Sequence, residues 1–511
     1  MDNYPLADSF DAIGEWFLPS DPDHKIVGRL SYSAGRTELH LNGNFQPLRG
    51  SVYVGDTQEY PLVYGAIRSG LPMSLIRVQR VGMFMQAGMS ITGTQQSEHL
   101  ITKSLIVGAH VSEDCACTEL SCRIPGLNIW LSRKVVSLTF SANEEVREIE
   151  SIYRVVNPPE EMTGVQTIST NVGWNVSVEC KNAGDPFGIS VSSTGWLRLH
   201  LDNRQPLTWY FDQISKLTTL LSFLSGSPMQ PDCINITIDG LPGDAAVLAV
   251  SRDTTYCPYG NLKDFYMPRS ALGTDFEGVV SKWFEIFDKV AVPSQLALSV
   301  MASDKLWSYV EFLSLMQALE GFHRAILEGV YMPPVDFEQV KLALVAAIPS
   351  NVGSDHKSSL CSRIRYANEI SLAKRLKDLA ERLCPPVREL IFGGSSIVPR
   401  QWIDTRNYYT HWDEELRQKI LDGQGLLRAN VRIRHFLRAL YLDLAGVPQD
   451  TILRALYNYS HESQLLAQIN AVERRRVNPA DESGMVMTIF EQPVAAPVSQ
   501  GPPDVDPDPQ C

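Results

Sequence analysis

The sequence predicts a multidomain α+β protein, in which a β-rich, sandwich-like region precedes an all-α helical bundle. Its 511 residues are more than one hydrophobic core usually accommodates. Apolar residues alternate with polar ones in the first half, as in strands, and recur every three to four positions from about residue 275, as in helices. We therefore expect a β-rich region over 1–285, a helical domain over 290–476 and a tail over 477–511.

Alternating segments rich in β-formers, separated by clusters of Gly, Pro, Asn and Asp, predict the strands of the first region. One segment breaks this pattern, because 211–224 has its leucines at helical spacing and is followed by the turn sequence SGSP. We expect it to be a helix that packs on the sheet. The predicted strands are 26–32, 37–41, 104–107, 135–140, 188–192, 196–201, 234–238 and 246–250.

The second region predicts a series of helices. Pro293 is expected to end the first of them, and Pro334 suits the first turn of the third. The predicted helices are 276–290, 304–328, 334–348, 358–383, 400–408, 411–421, 426–444 and 451–476. The proline- and acid-rich tail over 477–511 is expected to be disordered.

The net charge of −13 is unevenly distributed along the chain. Residues 351–476 contain 20 lysines and arginines against 14 acidic residues, whereas residues 477–511 contain 6 acidic residues and no basic ones. A nucleic-acid enzyme concentrates positive charge around its site, so this distribution mildly favours RNA binding. The alternative is that the arginines simply occupy solvated helix faces, since arginine is a good helix former.

Features of targeting and cysteine usage indicate a cytoplasmic protein without membrane contact. No run of 18 apolar residues is present, and the first residues lack the pattern of a signal peptide. The 9 cysteines favour free thiols over disulfides in that compartment. Cys115, Cys117 and Cys122 could supply three ligands of a zinc site, but no fourth ligand lies at a recognised spacing, so free thiols are the favoured interpretation.

The segment RNYYTH at 406–411 combines side chains suited to phosphodiester chemistry. Arg406 is a permanent cation whose planar fork fits phosphate oxygens. His411 can take or give a proton near neutral pH, and Asn407 can orient either group by hydrogen bonding. The sequence motifs of serine hydrolases, P-loop proteins, dinucleotide-binding folds and zinc proteases are absent, which argues against those classes.

Both ends of the chain resemble known families. Arg406, followed by an asparagine and closed by His411 between helical segments, is similar to the R-x(4-6)-H signature of the HEPN superfamily of RNases. Near the N-terminus, GEWFLP at 14–19, KIVGRL at 25–30 and TELHL at 37–41 resemble the start of ApeA anti-phage proteins. The segment between about 60 and 290 carries no motif of this kind.

The resemblance implies an anti-phage effector that cleaves RNA, with tRNA as one candidate, and arrests growth on infection. It implies cleavage without a metal or cofactor, at a composite cleft between two copies of the chain. His411 would act as base on the ribose 2′-hydroxyl or as acid on the leaving oxygen, Arg406 would stabilise the phosphorane, and Asn407 would position the histidine or the phosphate. The N-terminal region, which has no catalytic motif, would regulate the nuclease and receive the signal, and a phage protein is the expected trigger.

The spacing of the motif raises a geometric difficulty. In a straight helix, two residues five positions apart point about 140° from each other. Arg406 and His411 could then hardly share one phosphate. Thr410, followed three positions later by Asp413, is similar to a helix N-cap. We therefore expect a new helix to begin at Thr410 and the chain to bend inside the motif.

Further residues are candidates for RNA contact or for a structural network. Arg432, Arg434 and Arg438, with His435, form a basic helical patch that could guide RNA or be a solvated face. Tyr409 could stack on an unpaired base, although aromatic residues at a helix junction more often belong to the core. The candidate RNA contacts are thus Arg432, Arg434, Arg438 and Tyr409.

Two interpretations concern the helical domain as a whole. Glu320, His323 and Arg324 on the segment 304–328 favour a buried or surface network over catalysis. The alternative to a nuclease is a non-catalytic dimeric adaptor that binds RNA or protein. A degenerate bundle would have lost Arg406 or His411, and the presence of both favours the enzyme.

Overall fold

The computed structural model describes most of the chain between residues 9 and 477. The tail predicted to be disordered lies outside the described residues, apart from Val477. The described residues are 9–33, 36–45, 58–86, 95–102, 104–112, 114–143, 148–182, 189–241, 243–249, 260–303, 305–458 and 460–477.

Six antiparallel strands of the described chain close into a barrel. Its order is β5-β4-β1-β2-β3-β6, and β6 returns to β5. A closed barrel leaves no unpaired edge between its strands. These strands are β1 (Phe10–Leu18), β2 (Asp21–Ser33), β3 (Arg36–Leu41), β4 (Glu59–Ile67), β5 (Pro72–Gln86) and β6 (Gln95–Thr102).

The barrel interior is filled by the apolar positions of each strand. On β2, Ile26, Gly28, Leu30 and Tyr32 are buried while the residues between them are exposed or half-buried, because successive side chains of a strand point to opposite faces. Trp16 is fully buried and lies against Gly65, where a Cβ atom would clash with the indole ring. The tryptophan of the N-terminal motif is therefore a core residue.

The remaining strands extend the barrel into an open sheet and a separate hairpin. The first half of β5 pairs with β7, and the sheet continues in the order β7-β15-β14-β8-β13-β12-β11. Strands β9 and β10 pair only with each other among the described residues. These strands are β7 (Ser104–Val107), β8 (Ala116–Arg123), β9 (Val136–Asn143), β10 (Glu148–Val155), β11 (Glu161–Val165), β12 (Thr170–Asn182), β13 (Ile189–Pro206), β14 (Cys233–Ile238) and β15 (Asp244–Ala249).

Helices make up the second region, with two short helices and one long helix within the first. The predicted fold class, a β-rich region followed by a helical bundle, is confirmed, with a closed barrel in place of a simple sandwich. The helices are α1 (Leu127–Leu131), α2 (Leu207–Ser225), α3 (Arg269–Leu272), α4 (Phe276–Met301), α5 (Ser308–Ile326), α6 (Pro334–Ala346), α7 (Ser354–Arg365), α8 (Leu372–Glu381), α9 (Pro385–Phe392), α10 (Arg400–His411), α11 (Gly423–Leu444), α12 (Gln449–Leu456) and α13 (His461–Val477).

The two regions share a hydrophobic core where α2 meets α4 and α11. Phe223 of α2 stacks on Tyr441 of α11, with ring centroids 4.2 Å apart. Trp283 of α4 is fully buried, and its indole N–H donates to the carbonyl of Lys216 at 2.8 Å. Arg438 of α11 donates to the carbonyl of Gly226, just after α2, at 2.9 Å.

Two helix predictions are corrected by the structure. Pro293 does not end a helix, because α4 runs through it and buries Val290 and Ala297 on either side. This burial offsets the one hydrogen bond that proline removes. The expected boundary between 285 and 290 therefore falls inside α4. The predicted helix 358–383 is two helices, since Ser371 caps α8 by accepting from the backbone N–H of Lys374.

Nothing in the described part of the chain forms a helix with both the length and the apolar character that crossing a bilayer requires.

Candidate active site

Helix α10 carries the RNYYTH segment and is fixed to the bundle along one face. It begins after Pro399, whose backbone conformation leads into a first helical turn. Trp402 and Ile403 are buried, and Trp402 packs edge-on against Phe392 of α9. The hydroxyl of Thr405 accepts a hydrogen bond from the backbone N–H of Leu421 at 2.9 Å. These contacts hold the next turn of the helix, which contains the motif, at the surface.

The expected bend within the motif is wrong. Residues 400–411 form one continuous helix, and the hydroxyl of Thr410 donates to the carbonyl of Arg406 at 2.7 Å instead of capping a new helix. The helix ends at Trp412, which adopts the left-handed conformation with φ 54°. The capping residue is Asp413, whose side chain accepts from the backbone N–H of Glu415 at the start of a short 3₁₀ turn.

Arg406 is half-buried and held by two side chains. One guanidinium nitrogen, Nη2, lies 3.3 Å from Oε2 of Glu320 on α5. The other, Nη1, donates to Oδ1 of Asn407 at 3.4 Å. About a quarter of the Arg406 side chain, 27%, remains exposed. The cation is therefore positioned at the protein surface, with part of its fork free to meet an anion.

His411 lies in the last turn of α10 and is exposed. Asn407 is four positions before it, so the two side chains share one face of the helix. Arg406 is five positions before it and points about 140° away. Within one chain the structure brings Arg406 to Asn407, and places Asn407 on the face of His411, but does not aim Arg406 and His411 at one point.

Glu320, the partner of Arg406 on α5, belongs to a larger ion-pair network. Arg324 joins Glu320 at 3.2 Å and Glu369 at 2.7 Å. Arg375, almost fully buried, donates towards both Glu369 and the ring of buried His323. Burial, followed by the charge on Arg375, lowers the pKa of His323. The network interpretation of Glu320, His323 and Arg324 agrees with these contacts, but the link from Glu320 to Arg406 was not anticipated.

The aromatic residues near the motif form a half-exposed cluster. Tyr409 stacks on Tyr309 of α5 with centroids 5.7 Å apart, and it also contacts the rings of Tyr408 and Trp412. Burial raises the pKa of Tyr409. Trp412 is 69% exposed, a large apolar surface beside His411. The sequence did not single out Trp412 above its neighbours, although its place next to the histidine was a signal.

Arg432, Arg434 and Arg438 do not form an exposed basic face. Arg432 is buried and donates to Glu473 at 2.7 Å and to the carbonyl of Ile391. Arg438 is buried and pairs with Glu462 at 2.7 Å. Arg434 is less buried and joins Glu311 at 2.8 Å. These arginines form ion pairs with carboxylates of the same chain. Arg432 and Arg438 are buried and therefore cannot reach RNA from their positions.

The cysteine cluster does not gather metal ligands. Sγ of Cys115 and Sγ of Cys117 lie 3.7 Å apart, and Cys122 is buried separately with its pKa raised by burial. In the part of the chain that the structure describes, the one group with three potential ligand atoms within 4.8 Å lies in the barrel. No disulfide joins Cys115, Cys117 or Cys122 to another of the described cysteines.

Two family matches cover most of the chain. Residues 11–283, more than half of its 511 residues, match the family described as ApeA N-terminal domain 1, and residues 313–451 match the family described as Apea-like HEPN. No curated protein and no solved structure matches significantly. The second match contains all of α10, including Arg406 and His411. The chain therefore belongs to the ApeA family of anti-phage effectors, in which a HEPN nuclease domain follows this N-terminal domain.

Proposed function

We propose that the protein is a metal-independent endoribonuclease that cleaves RNA to arrest growth on infection. The observation that carries this proposal is the motif helix α10, which holds Arg406 through Glu320 and Asn407 and leaves His411 exposed at its end. A fixed cation and a free imidazole are the groups that phosphodiester cleavage by an internal nucleophile requires. Bases unpaired in a loop, as in tRNA, would have access to the exposed ring of Trp412.

The reaction uses the ribose 2′-hydroxyl as its nucleophile. An imidazole of His411 takes the proton of this hydroxyl, the 2′-oxygen bonds to phosphorus, and the bond from phosphorus to the 5′-oxygen breaks. A protonated His411 returns a proton to the leaving 5′-oxygen, which leaves a 2′,3′-cyclic phosphate and a 5′-hydroxyl. Arg406 stabilises the charge on the pentavalent phosphorane, and Asn407 orients Arg406 through their hydrogen bond.

The active cleft is proposed to form between two chains. Because Arg406 and His411 point about 140° apart on one straight helix, a single chain presents them to different directions. A two-fold axis beside α10 would bring the arginine of each chain toward the histidine of its partner. The resulting dimer would contain two equivalent pairs of catalytic groups.

The N-terminal region is proposed to receive the infection signal, with a phage protein as the ligand. It joins the nuclease through a continuous core, as in the stack of Phe223 on Tyr441. A ligand that binds one arrangement of this core better than another shifts the population towards it by the difference in affinity. Surface substitutions on the barrel should therefore remove protection against phage while basal cleavage in vitro stays measurable.

The test is cleavage of total RNA by the purified full-length protein in the presence of EDTA. Arg406→Ala and His411→Ala should each lower the rate by at least about 1,000-fold, as expected for groups that act in the transition state. Arg400→Ala, on the same helix, and His461→Ala, at an exposed position, are matched controls that should keep full activity. A substrate with a 2′-deoxy sugar at the cleaved position should resist.

Three results would contradict the proposal. Activity that needs added Mg²⁺ would exclude the mechanism, as would cleavage of the 2′-deoxy substrate. Full activity of His411→Ala would remove the proposed base. RNA binding without cleavage by the wild type, under conditions that protect cells from phage, would favour the dimeric adaptor.

A further inference from the structure

The outer face of the barrel carries three potential metal ligands that the nuclease does not use. Glu38 and His40 are two positions apart on β3 and therefore point to the same side of the sheet. His99 on β6 is the direct cross-strand partner of His40. The Nε2 atoms of His40 and His99 each lie 3.3 Å from the same oxygen, Oε2 of Glu38.

The spacing of these atoms fits the edges of a zinc tetrahedron. Ligand atoms bonded to Zn²⁺ at about 2.0–2.2 Å in tetrahedral directions lie about 3.3–3.5 Å from one another. Both imidazole–carboxylate separations meet this value. The two rings are stacked with centroids 4.0 Å apart, and His40 is half-exposed, so a turn of its ring can aim its lone pair at the same point.

The surroundings of His99 leave its Nε2 atom without a hydrogen bond among the described residues. This atom is buried, and it makes no such bond despite its short distance to Glu38. The residue opposite His99 on β5 is Gly82, which has no side chain to fill the space beside the ring. Arg36 contacts the other carboxylate oxygen of Glu38, Oε1.

We propose that Glu38, His40 and His99 bind one Zn²⁺ on the barrel, with water as the fourth ligand. Two imidazoles and one carboxylate form a set that zinc accepts, and the exposed side of the cluster admits the water. The ion joins β3 to β6, the strand that returns to β5 and closes the barrel. Its binding therefore strengthens the closure of the N-terminal barrel.

The test is calorimetric titration of the metal-free, full-length protein with ZnCl₂, supported by the visible absorption of bound Co²⁺. The wild type should bind one equivalent at this site, and His40→Ala and His99→Ala should each weaken that binding by at least about 100-fold. His200→Ala is the matched control, since His200 also lies on a strand 3.3 Å from a carboxylate, that of Glu119, and should not change it. Circular dichroism checks that each variant is folded.

A second variant tests the role of the Glu38 carboxylate by a substitution that should strengthen zinc binding. Arg36→Ala removes the cation that competes for Glu38, so zinc should bind several-fold more tightly than to the wild type. Equal zinc stoichiometry and affinity in the wild type, His99→Ala and His200→Ala would overturn the proposal, because any zinc would then be bound by other groups such as the cysteines. An unchanged or weaker affinity of Arg36→Ala would exclude Glu38 as a ligand.

Discussion

Among residues outside the motif, Glu320 is the one whose substitution should affect the active site most. It holds Nη2 of Arg406 at 3.3 Å and is itself paired with Arg324. Glu320→Ala should release Arg406 and lower kcat about tenfold or more, with KM changed by less than about twofold, because the loss is one of positioning. Steady-state kinetics on a defined RNA would measure both constants.

Two further substitutions serve as controls for this prediction. Glu320→Gln keeps an oxygen that can accept from Arg406 and should recover part of the lost kcat. Glu338→Ala removes an exposed carboxylate that pairs with Lys341 and should have no effect. Equal loss in the Gln and Ala variants, or a change confined to KM, would show that Glu320 does not position the arginine.

A second residue gives the stability a dependence on pH. Burial lowers the pKa of His435 to about 4, against the opposing charge of Glu462 and with a smaller lowering contribution from the charge of Arg438. The unfolded chain protonates this ring near 6.5, so between these values it binds more protons than the folded protein. The free energy of unfolding should therefore fall by about 2 kcal/mol between about pH 7 and about pH 5 on account of His435.

Denaturant unfolding of the wild type and of His435→Gln at these two pH values checks the sign. Glutamine can still donate to the carbonyl of Glu462, the partner of the ring nitrogen Nε2. The variant should be less stable than the wild type near pH 7 and should lose less stability on acidification. An equal pH dependence in both proteins would assign it to other groups, such as His323.

The candidate site was partly predictable because its motif is local. Arg406, Asn407 and His411 lie within six positions, and their chemistry is visible in the sequence. Glu320 lies 86 positions earlier, and no sequence spacing connects it to Arg406. Arg432 and Arg438 resembled a surface patch because their acidic partners, Glu473 and Glu462, are contributed by the separate helix α13.

At the scale of elements, regular patterns were predictable and their interruptions were not. Strands such as β2, β3 and β14 follow clear alternation, and α5 and α11 follow clear helical spacing. β4 contains Pro61 and Gly65, which are unfavourable inside a strand, and it was therefore not predicted. The predictions made from Pro293 and Thr410 were wrong. At Pro293, packing of α4 outweighed the preference of proline to end a helix, and at Thr410 a hydrogen bond within α10 outweighed the preference of threonine to cap one.

The continuity of α4 predicts that the helical domain does not fold when cut at the expected boundary. A fragment of residues 290–476 lacks the first half of α4, with buried Trp283 and Phe284. It also lacks Phe223, the stacking partner of Tyr441. The exposed apolar surface should make this fragment insoluble when expressed, whereas the full-length chain should be soluble.

Fractionation of expressing cells measures this difference, with the full-length chain as the reference. A soluble, folded 290–476 fragment would show that α2 and the first half of α4 are dispensable for the nuclease domain. If that fragment were also toxic with His411 intact and harmless as His411→Ala, the N-terminal region would act only as a restraint.

At the scale of the whole molecule, the composite cleft predicts that two inactive variants restore each other. A mixed dimer of Arg406→Ala and His411→Ala chains contains one intact pair, made from the arginine of one chain and the histidine of the other. Random pairing at equal amounts should give about a quarter of wild-type activity per chain, because about half of the dimers are mixed and each has one of two sites.

Co-expression with distinct tags and purification of the mixed species provide the measurement. Excess of a chain that carries both Arg406→Ala and His411→Ala should lower activity per wild-type chain, because a mixed dimer then has no intact pair, and sedimentation should show at least a dimer. Mixed dimers as inactive as their parents, or cleavage by a monomer, would place both groups in one chain.

The closure of the barrel is the feature of the whole molecule least visible in the sequence. It depends on β5, which pairs with β7 along its first half and with β6 along its second. The irregular pairing between Arg80 and Gly82 lies at this change of partner. Neither β5 nor β6 shows clear alternation in the sequence. Because β5 belongs to both the barrel and the open sheet, its two sets of partners cannot be predicted from a local pattern.

The shared core also bears on how such proteins can evolve. Tyr441 of the nuclease region packs against Phe223 and Trp283, which precede the HEPN match in the chain. A genetic exchange that replaced only the second half of the gene would bring together halves whose buried side chains had not been selected together. Lineages of these proteins should therefore inherit the N-terminal region and the nuclease as one block, and diversify mainly at exposed positions of the barrel, where the core imposes no such constraint.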